Sequence, residues 1–444
     1  MRQSGLALGG FCAVCAALSS SAALAQDGGM RIIFGLENRL EFSRNDRLSV
    51  PATGSNISNA TRLSFGLISN REIDQLEFSA SGALIAENGT DGPGTEFTFG
   101  EEEVTLSYHR EVPAAVFDLR ASYRHDDVDE FDDDLAGFDE TGTRTDSRME
   151  ARLETGRTSS IGFALGAAYQ ATDYQDTTDP DLEDSTEASA DLAVILHASE
   201  IATGRIGLRY SRVEEEDAAD TRTDTLTTYA GLDYSLSERL DLSAEIGYVE
   251  SETEEFGVID RTTGPELSLG LTYDMPVGSA LALLRITTDD DEGQRETFEI
   301  GRDLETPTAT ISARLGVTHA DEAGTDLIGR LRVDRTLPDG TLGLVLERRT
   351  SYDDEPVLNS LAALSWTKSV NELSSISFGL TYEQSDAASE RIEQVSFGAS
   401  YHRELTADWN LDTGVGYRVR NDADGHAESP TLFVSLSRDF EFRP

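Results

Sequence analysis

The sequence predicts an all-β protein, a transmembrane antiparallel up-and-down β-barrel of about 18 to 22 strands with no plug domain. Three observations predict this fold. Apolar and polar residues alternate with period two along most of the chain, short turns alternate with longer loops, and aromatic residues lie at both ends of the apolar faces. Helical spacing is nearly absent. We therefore expect strands whose two faces meet different surroundings.

The N-terminal segment has the features of a secretory signal peptide, with an apolar run that leads to small residues ending at Ala25. Both cysteines, Cys12 and Cys15, lie in this run and neither follows a lipoprotein cleavage box. We expect a mature protein without disulfide bonds or a lipid anchor. The predicted organisation is a signal peptide over residues 1–25 and a single barrel domain over residues 26–444.

Composition excludes some classes of function. The chain has 36 Lys and Arg against 83 Asp and Glu, a net charge of −47. This charge excludes a general affinity for nucleic acid and predicts attraction of cations. After residue 25 no apolar run approaches the roughly 20 residues that a membrane-spanning helix requires. The exported chain is therefore either soluble or held in a membrane by strands.

Alternating segments of about 9 to 15 residues are the predicted strands. A clear case places Leu240, Leu242, Ala244, Ile246 and Tyr248 on one face. We count about 22 such segments. They begin near residues 31, 61, 74, 95, 113, 145, 159, 185, 202, 222, 239, 263, 278, 295, 307, 324, 339, 356, 372, 391, 407 and 428.

The connections alternate between short and long, as they do in barrels with turns at one rim and loops at the other. The short turns include residues 70–72, 111–113, 276–278 and 338–340, and the longer loops include residues 44–60, 126–144, 172–184 and 251–262. The segment Arg148 to Gln170 is predicted to be one hairpin with its turn near Arg157. Its first half carries a charge at every second residue and its second half is small and uncharged.

Aromatic residues favour the membrane barrel over its rival, a soluble β-sandwich or solenoid. A sandwich core would hold them centrally, whereas membrane interfaces select them at both ends of the apolar band. The strands that run into long loops end with Tyr123, Tyr169, Tyr210, Tyr248, Tyr382 and Tyr417, and those that run into short turns end with Tyr108, Tyr234, Tyr273, Trp366 and Tyr401. Polar residues interrupt the apolar face at Asn38, Glu250, Glu296, Arg302, Arg348 and Arg438, mostly near strand ends.

Candidate catalytic groups are few. Metalloprotease, nucleophile-elbow, dinucleotide and phosphate-binding motifs are absent from the sequence. An omptin-like protease would need an Asp-His and an Asp-Asp pair at the outer mouth, where His125 lies. A phospholipase A-like site would need a lipid-facing His, but His197 and His319 fall on the polar face. We expect no catalytic residues and no enzymatic activity.

Acidic clusters occupy most of the long loops. They lack the spacing of an EF-hand, and no specific metal site or cofactor is predicted. One interpretation is a solvated rim. The other is loose binding of Ca²⁺ or Mg²⁺, which could bridge to lipopolysaccharide, with Asp126, Asp127, Asp129, Asp132, Asp133 and Asp134 as candidate ligands.

The polar face should line the lumen and carries charges of both signs. Such charges orient ions in a water-filled channel, or they pair between strands to hold the wall. The predicted pore-lining residues are Arg120, Arg124, Arg148, Glu150, Arg152, Glu154, Arg205, Arg209, Arg314, Arg330, Arg332, Arg349 and Arg418.

The chain resembles the outer-membrane β-barrels of Gram-negative bacteria, most of all the putative β-barrel porin 2 type. The likeness is carried by the first strand, residues 35–42, and by small-residue strands such as residues 378–382. The last strand, residues 431–442, resembles the signal read by the outer-membrane assembly machinery, although Arg443 and Pro444 follow it. TonB-dependent transporters are also similar in strand number, but the short interval before the first strand predicts no plug.

This resemblance implies a place in the outer membrane, in contact with lipid and lipopolysaccharide. We expect a passive pore for small hydrophilic solutes or an exported polymer, with a preference for cations. An inward fold of residues 44–60 or 126–144 should narrow it. The alternative is a structural or surface-interaction barrel without an open channel, whose acidic loops bind divalent cations, lipopolysaccharide or another cell.

Overall fold

The computed structural model describes residues 29–443, except residues 53, 89–95, 129–141, 178–181, 290–292, 321–323, 353–355, 388–390 and 424. These residues form 22 β-strands. The strands are β1 Met30–Arg44, β2 Ser55–Asn70, β3 Asp74–Asn88, β4 Glu96–Val112, β5 Ala115–Asp127, β6 Thr143–Thr155, β7 Ile161–Gln175, β8 Ser185–Ser199, β9 Ala202–Glu215, β10 Arg222–Ser237, β11 Leu240–Glu255, β12 Val258–Asp274, β13 Ser279–Asp289, β14 Gly293–Thr306, β15 Ala309–Ala320, β16 Gly324–Leu337, β17 Gly340–Tyr352, β18 Pro356–Asn371, β19 Ser374–Asp386, β20 Arg391–Glu404, β21 Trp409–Asn421 and β22 His426–Phe442.

The strands form one closed antiparallel ring. Each strand pairs with its neighbours in sequence, and β1 also pairs with β22, from Ile32 opposite Phe442 to Ser43 opposite Thr431. Closure leaves no open sheet edge through the membrane, which is what allows strands to cross lipid. Residues 45–54 begin the series of connections at the long-loop rim, and residues 71–73 begin the series at the short-turn rim.

The outer face of the ring is apolar and exposed. Leu63 and Ile246, for example, are 62% and 63% exposed, and within the described residues only nine hydrophobic side chains are buried. A soluble sandwich would bury such residues between its sheets, so that alternative is excluded. The described residues contain no helix that is long and apolar enough to cross a membrane.

Two of the polar residues on the outer face, Asn38 and Arg438, have local polar partners. The Asn38 side chain donates to the Thr61 hydroxyl at 2.9 Å and to the Asn59 side chain at 3.1 Å. The Arg438 guanidinium lies near the short-turn rim, 3.2 Å from the Asp408 carboxylate. At these two positions a polar partner reduces the cost of a polar side chain on the apolar face.

The predicted hairpin is present as β6 and β7, in which Met149 lies opposite Tyr169 and Glu150 opposite Ala168. By contrast, the predicted loop over residues 251–262 is wrong, because β11 and β12 continue through it as paired strands. Phe256 and Gly257 both have positive φ, as a tight two-residue hairpin turn requires. The prediction failed because this segment is rich in polar residues, which are typical of loops, although it forms a long two-stranded β-ribbon.

Candidate functional site: the lumen and its outer vestibule

All thirteen predicted pore-lining residues lie on the strand face opposite the exposed apolar belt. Arg120, for example, lies between Leu119 and Ala121, whose cross-strand partners are the outward Ala151 and Met149. The same alternation places the others on the inner face, on β5, β6, β9, β15, β16, β17 and β21. That solutes pass these residues stays a prediction.

Most of these charges pair within the wall. The closest contacts are Arg152 with Glu150 at 2.7 Å, Arg314 with Asp303 at 2.8 Å and Arg332 with Asp334 at 2.8 Å, and the longer ones are Arg330 with Glu347 at 3.4 Å, Arg124 with Asp126 at 3.4 Å and Arg209 with Glu245 at 3.8 Å. Arg205 also pairs with Asp233. Because these pairs are partly solvated, they contribute little to stability.

Other predicted pore-lining residues have no ion pair with a described residue. The Arg148 guanidinium donates to the Gln170 side chain at 3.3 Å, whereas Arg120 and Arg349 have no ion pair in the part of the chain that the structure describes. The inner wall therefore carries charges that are neutralised in ion pairs and charges that have no ion pair among the described residues. The second kind can interact with hydrated ions.

A cavity of about 1160 Å³ occupies the part of the lumen between β1–β5 and β18–β22, and we call it the vestibule. Its lining includes nine carboxylates, which are Glu37, Glu41, Asp46, Glu87, Glu101, Glu102, Glu103, Asp126 and Asp127. Five guanidinium groups oppose them, from Arg39, Arg47, Arg62, Arg124 and Arg418. The excess of four negative charges makes the vestibule attractive to cations, since a concave wall of one sign focuses the field.

The facing wall of the vestibule carries small side chains. They come from β18 to β22 and include Ser365, Thr367, Ser377, Gly379, Gly398, Ser400, Gly416 and Thr431. Because these side chains are short, they leave space between themselves and the acidic wall on the opposite side of the vestibule. The arrangement suits a hydrated solute better than an apolar ligand, which would need apolar walls.

The loop between β1 and β2 folds into the lumen at the long-loop rim. Leu48 and Asn45 are 1% and 2% exposed, and the Asn45 side chain donates to the Glu428 carbonyl oxygen at 3.4 Å. The Arg418 guanidinium, on the inner face of β21, donates to the Asp46 carbonyl oxygen at 2.6 Å. Of the two loops predicted to narrow the barrel, this one enters the lumen, and residues 129–141 of the other lie outside the described residues.

The inward loop lies beside a buried polar group at the outer ends of β20 to β22. The side chains of Arg420 and Asp422 are both buried, with 2.7 Å between the Arg420 Nε and an Asp422 carboxylate oxygen. Gln394 and Ser429 are buried next to them. A buried ion pair is costly to break because the remaining charge is left uncompensated. We therefore expect the outer ends of β20 to β22 to be rigid where the loop packs against them.

The candidate ligands for divalent cations are only partly described. Asp126 and Asp127 line the vestibule, and Asp129, Asp132, Asp133 and Asp134 lie outside the described residues. Within the residues that the structure describes, no group of three or more His, Cys, Asp and Glu side chains has the geometry of a metal site. Loose binding of Ca²⁺ or Mg²⁺ stays a prediction.

One rim carboxylate orders its own loop. Asp217, between β9 and β10, accepts hydrogen bonds from the Thr221 hydroxyl at 2.6 Å, the Thr221 N–H at 2.8 Å and the Ala219 N–H at 3.0 Å. The hydrogen bond from the Thr221 hydroxyl is the main cause that lowers the pKa of Asp217, because it stabilises the charged form. Asp217 therefore has a structural role in the loop between β9 and β10.

Several vestibule residues were missed from the sequence, and Phe433 and Glu101 show two different reasons. Phe433 lies on the inner face with the Arg39 guanidinium 4.2 Å above its ring, and its position between the outward Leu432 and Val434 would have revealed it. Glu101 pairs with Arg62. It has positive φ beside a register shift between β3 and β4, and period-two alternation contains no signal for such a bulge.

Gly207 makes room for a tyrosine inside the wall. A Cβ at this position would lie 2.5 Å from the Tyr229 ring and 2.7 Å from the Leu192 carbonyl oxygen, and the Tyr229 hydroxyl donates to Asp191 at 2.9 Å. We expect Gly207→Ala to lower the free energy of unfolding by about 1 to 3 kcal/mol, measured by urea titration in lipid vesicles. Gly379→Ala is the matched control, because nothing lies within 4 Å of its Cβ position. An equal effect of both substitutions would contradict this packing role.

Comparison with known proteins finds similarity of structure only. No family model matches the sequence, and no curated protein matches it. The FrpB iron transporter from Neisseria meningitidis (F5-1 variant) is 9% identical with a TM-score of 0.59, and the match covers 94% of this chain and 83% of that one. The siderophore receptor PirA from Pseudomonas aeruginosa is 11% identical with a TM-score of 0.52, and the match covers 94% of this chain and 81% of that one. The copper transporter OprC is 11% identical with a TM-score of 0.56, and the match covers 94% of this chain and 82% of that one.

At this level of identity the likeness shows the fold. The chain is a closed 22-stranded barrel of the kind found in Gram-negative outer membranes, and its apolar outer belt places it in that membrane in contact with lipid and lipopolysaccharide. The resemblance to the porin 2 type has no support from a family model. Recognition of the last strand by the assembly machinery stays a prediction.

The predicted fold class needs a correction. The expectation of no plug domain is wrong for the kind of barrel that this chain resembles, because the similar structures are those of transporters and receptors, and 22-stranded outer-membrane transporters have a plugged lumen. The expectation rested on the short interval before β1. That interval carries no information on the class of the barrel.

Proposed function

We propose that the protein carries small hydrophilic solutes across the outer membrane through its lumen, and that the vestibule favours cations. The observation that carries this proposal is the polar, water-accessible vestibule with four excess carboxylates, which continues into a wall of paired and open charges. Charged rings of this kind select ions by attraction at close range.

The similar structures support transport as the class of function. Their names describe an iron transporter, a siderophore receptor and a copper transporter. Transport of a positively charged solute would suit the acidic vestibule of this chain. A passive pore is the simplest mechanism, in which the inward loop between β1 and β2 sets the size limit and the carboxylates raise the local concentration of cations.

We also propose that the barrel has no enzymatic activity. The His109 and His402 rings each hydrogen-bond an aspartate on the neighbouring strand, Asp118 at 2.7 Å and Asp412 at 2.8 Å. These pairs connect β4 to β5 and β20 to β21, as cross-strand pairs do in structural walls. His125 hydrogen-bonds the Thr145 hydroxyl at 2.7 Å.

Planar bilayer recordings test the proposed function. Purified protein should give stepwise currents, and a salt gradient should give a reversal potential that indicates cation preference. Migration that changes with heating on a detergent gel confirms that the sample is folded. A folded sample that gives no current would overturn the pore and favour the alternative of a surface-interaction barrel.

A further inference from the structure

The rim at the long-loop end has a step between β12 and β13. Strands β11 and β12 stay paired up to their turn, where Glu255 lies opposite Val258. The pairing between β12 and β13 ends much earlier, where Leu267 lies opposite Ile286. Beyond this point β12 has β11 on one side, and no described strand pairs with its other side. Gly264 itself is buried against the Thr288 side chain, so we call residues Val258 to Thr263 the open edge.

The step is a consequence of the local sequence. Pro265 has no N–H and cannot donate to a ladder, and its carbonyl oxygen accepts a hydrogen bond from the Thr288 hydroxyl at 3.1 Å. Strand β13 then ends at Asp289, which pairs with Gly293 at the start of β14. Strand β13 therefore turns back below the open edge.

The ribbon that carries the open edge stands clear of the membrane. Its tip at Phe256 is eight residues beyond Tyr248 in the aromatic girdle, which corresponds to about 27 Å of strand. Phe256, Val258 and Ile259 are 76%, 69% and 64% exposed. An exposed strand edge with apolar residues is a template for another strand, and proteins usually cover it.

Charge selects the kind of strand that fits. Over residues 250–261 the ribbon carries five carboxylates, from Glu250, Glu252, Glu254, Glu255 and Asp260, and a single guanidinium from Arg261. Arg261 is already paired with Glu250 at 3.5 Å and with Glu252. Edge-to-edge pairing with a second copy of this chain would bring like charges together, whereas a basic segment would complement them.

We propose that the open edge accepts an extended, cationic segment of a partner protein as an additional β-strand. The main chain of the segment pairs with Val258 to Thr263, its apolar side chains contact Ile259 and Phe256, and its basic side chains reach toward Asp260 and, across β12, the carboxylates of β11. Recognition of this kind takes affinity from the main-chain ladder and specificity from alternate side chains. The outer end of the barrel is then a receptor surface as well as a pore mouth.

The test uses a single introduced cysteine, since the two natural cysteines precede residue 26. Thr263→Cys places a thiol on the open edge. Thr186→Cys is the matched control, because it lies in an acidic part of the same rim but has strands on both sides, with Ala171 and Glu214 as partners. The probe is a peptide of about eight alternating valines and lysines, the length of an ordinary strand, with one cysteine activated as a mixed disulfide.

Purified full-length protein in detergent should form the disulfide with the probe at least about tenfold faster in Thr263→Cys than in Thr186→Cys. Methylation of alternate peptide nitrogens, or glutamate in place of lysine, should lower the rate to that of the control variant. Equal rates at the two positions would overturn the proposal. An N-methylated peptide that reacts as fast would do so too, because attraction alone would then explain capture. Full protection of the Thr263→Cys thiol by lipopolysaccharide with Ca²⁺ would show that lipid covers the edge, which also contradicts the proposal.

Discussion

Shortening the loop between β1 and β2 should raise the single-channel conductance by about two- to fivefold, because this loop occupies the lumen at the vestibule. The geometry allows a precise design. Arg44 and Ser55 are cross-strand partners, and the Asn45 N–H donates to the Gly54 carbonyl oxygen at 2.7 Å, so the ends of the loop are close. Residues 45–54 can therefore be replaced by Asn-Gly, which closes a tight hairpin.

A matched control is available on the same rim. Residues 216–221 connect β9 and β10, whose last cross-strand pair at this end is Glu214 with Arg222, and they do not line the vestibule. Their replacement by Asn-Gly should leave the conductance unchanged. If the shortened β1–β2 loop also left it unchanged in a folded, heat-modifiable barrel, the loop would not be the constriction.

A smaller change should loosen the same loop. Arg418→Gln shortens the side chain that donates to the Asp46 carbonyl oxygen at 2.6 Å. The mean single-channel conductance of this variant should lie between those of the wild type and of the variant with the shortened loop. The current through its open channel should also fluctuate more than in the wild type.

Reversal of three vestibule charges should convert cation preference into anion preference. Glu103, Asp126 and Asp127 all line the vestibule, and substitution of each by lysine changes the local charge by six units, against an excess of four carboxylates. The measurement is the reversal potential in a gradient of potassium chloride near 0.1 M, where the Debye length is about 10 Å and the field of the wall is not fully screened.

The control for this prediction has the same change in total charge at the other end of the barrel. Glu72, Glu238 and Glu372 lie in short turns, and their substitution by lysine should leave the preference for cations in place. If both triple variants shifted the reversal potential equally, overall charge rather than the vestibule would decide selectivity. No shift in either would mean that the current does not pass the vestibule.

The inner and outer faces of most strands were predictable, because the alternation of side chains across a strand is a local property. Arg148, Glu150 and Arg152 follow each other at period two, and Met149 and Ala151 between them face lipid. The bulge at Glu101 was not predictable in this way, since it depends on how β4 meets β3. The same holds for the ribbon at residues 251–262, where acidic residues suggested a loop.

The sequence by itself determined that this chain is built from membrane-crossing strands, that its charges line the inside, and that its ends carry aromatic girdles. Those features follow from hydrophobic periodicity, and each strand carries its own copy of the signal. Only the tertiary structure decided that the ring closes after 22 strands through β1 and β22, that Leu48 and Asn45 enter the lumen, and that β12 rises above β13. These depend on register and on contacts between residues far apart in the chain, such as Asn45 with Glu428, 383 positions away, for which no local pattern exists.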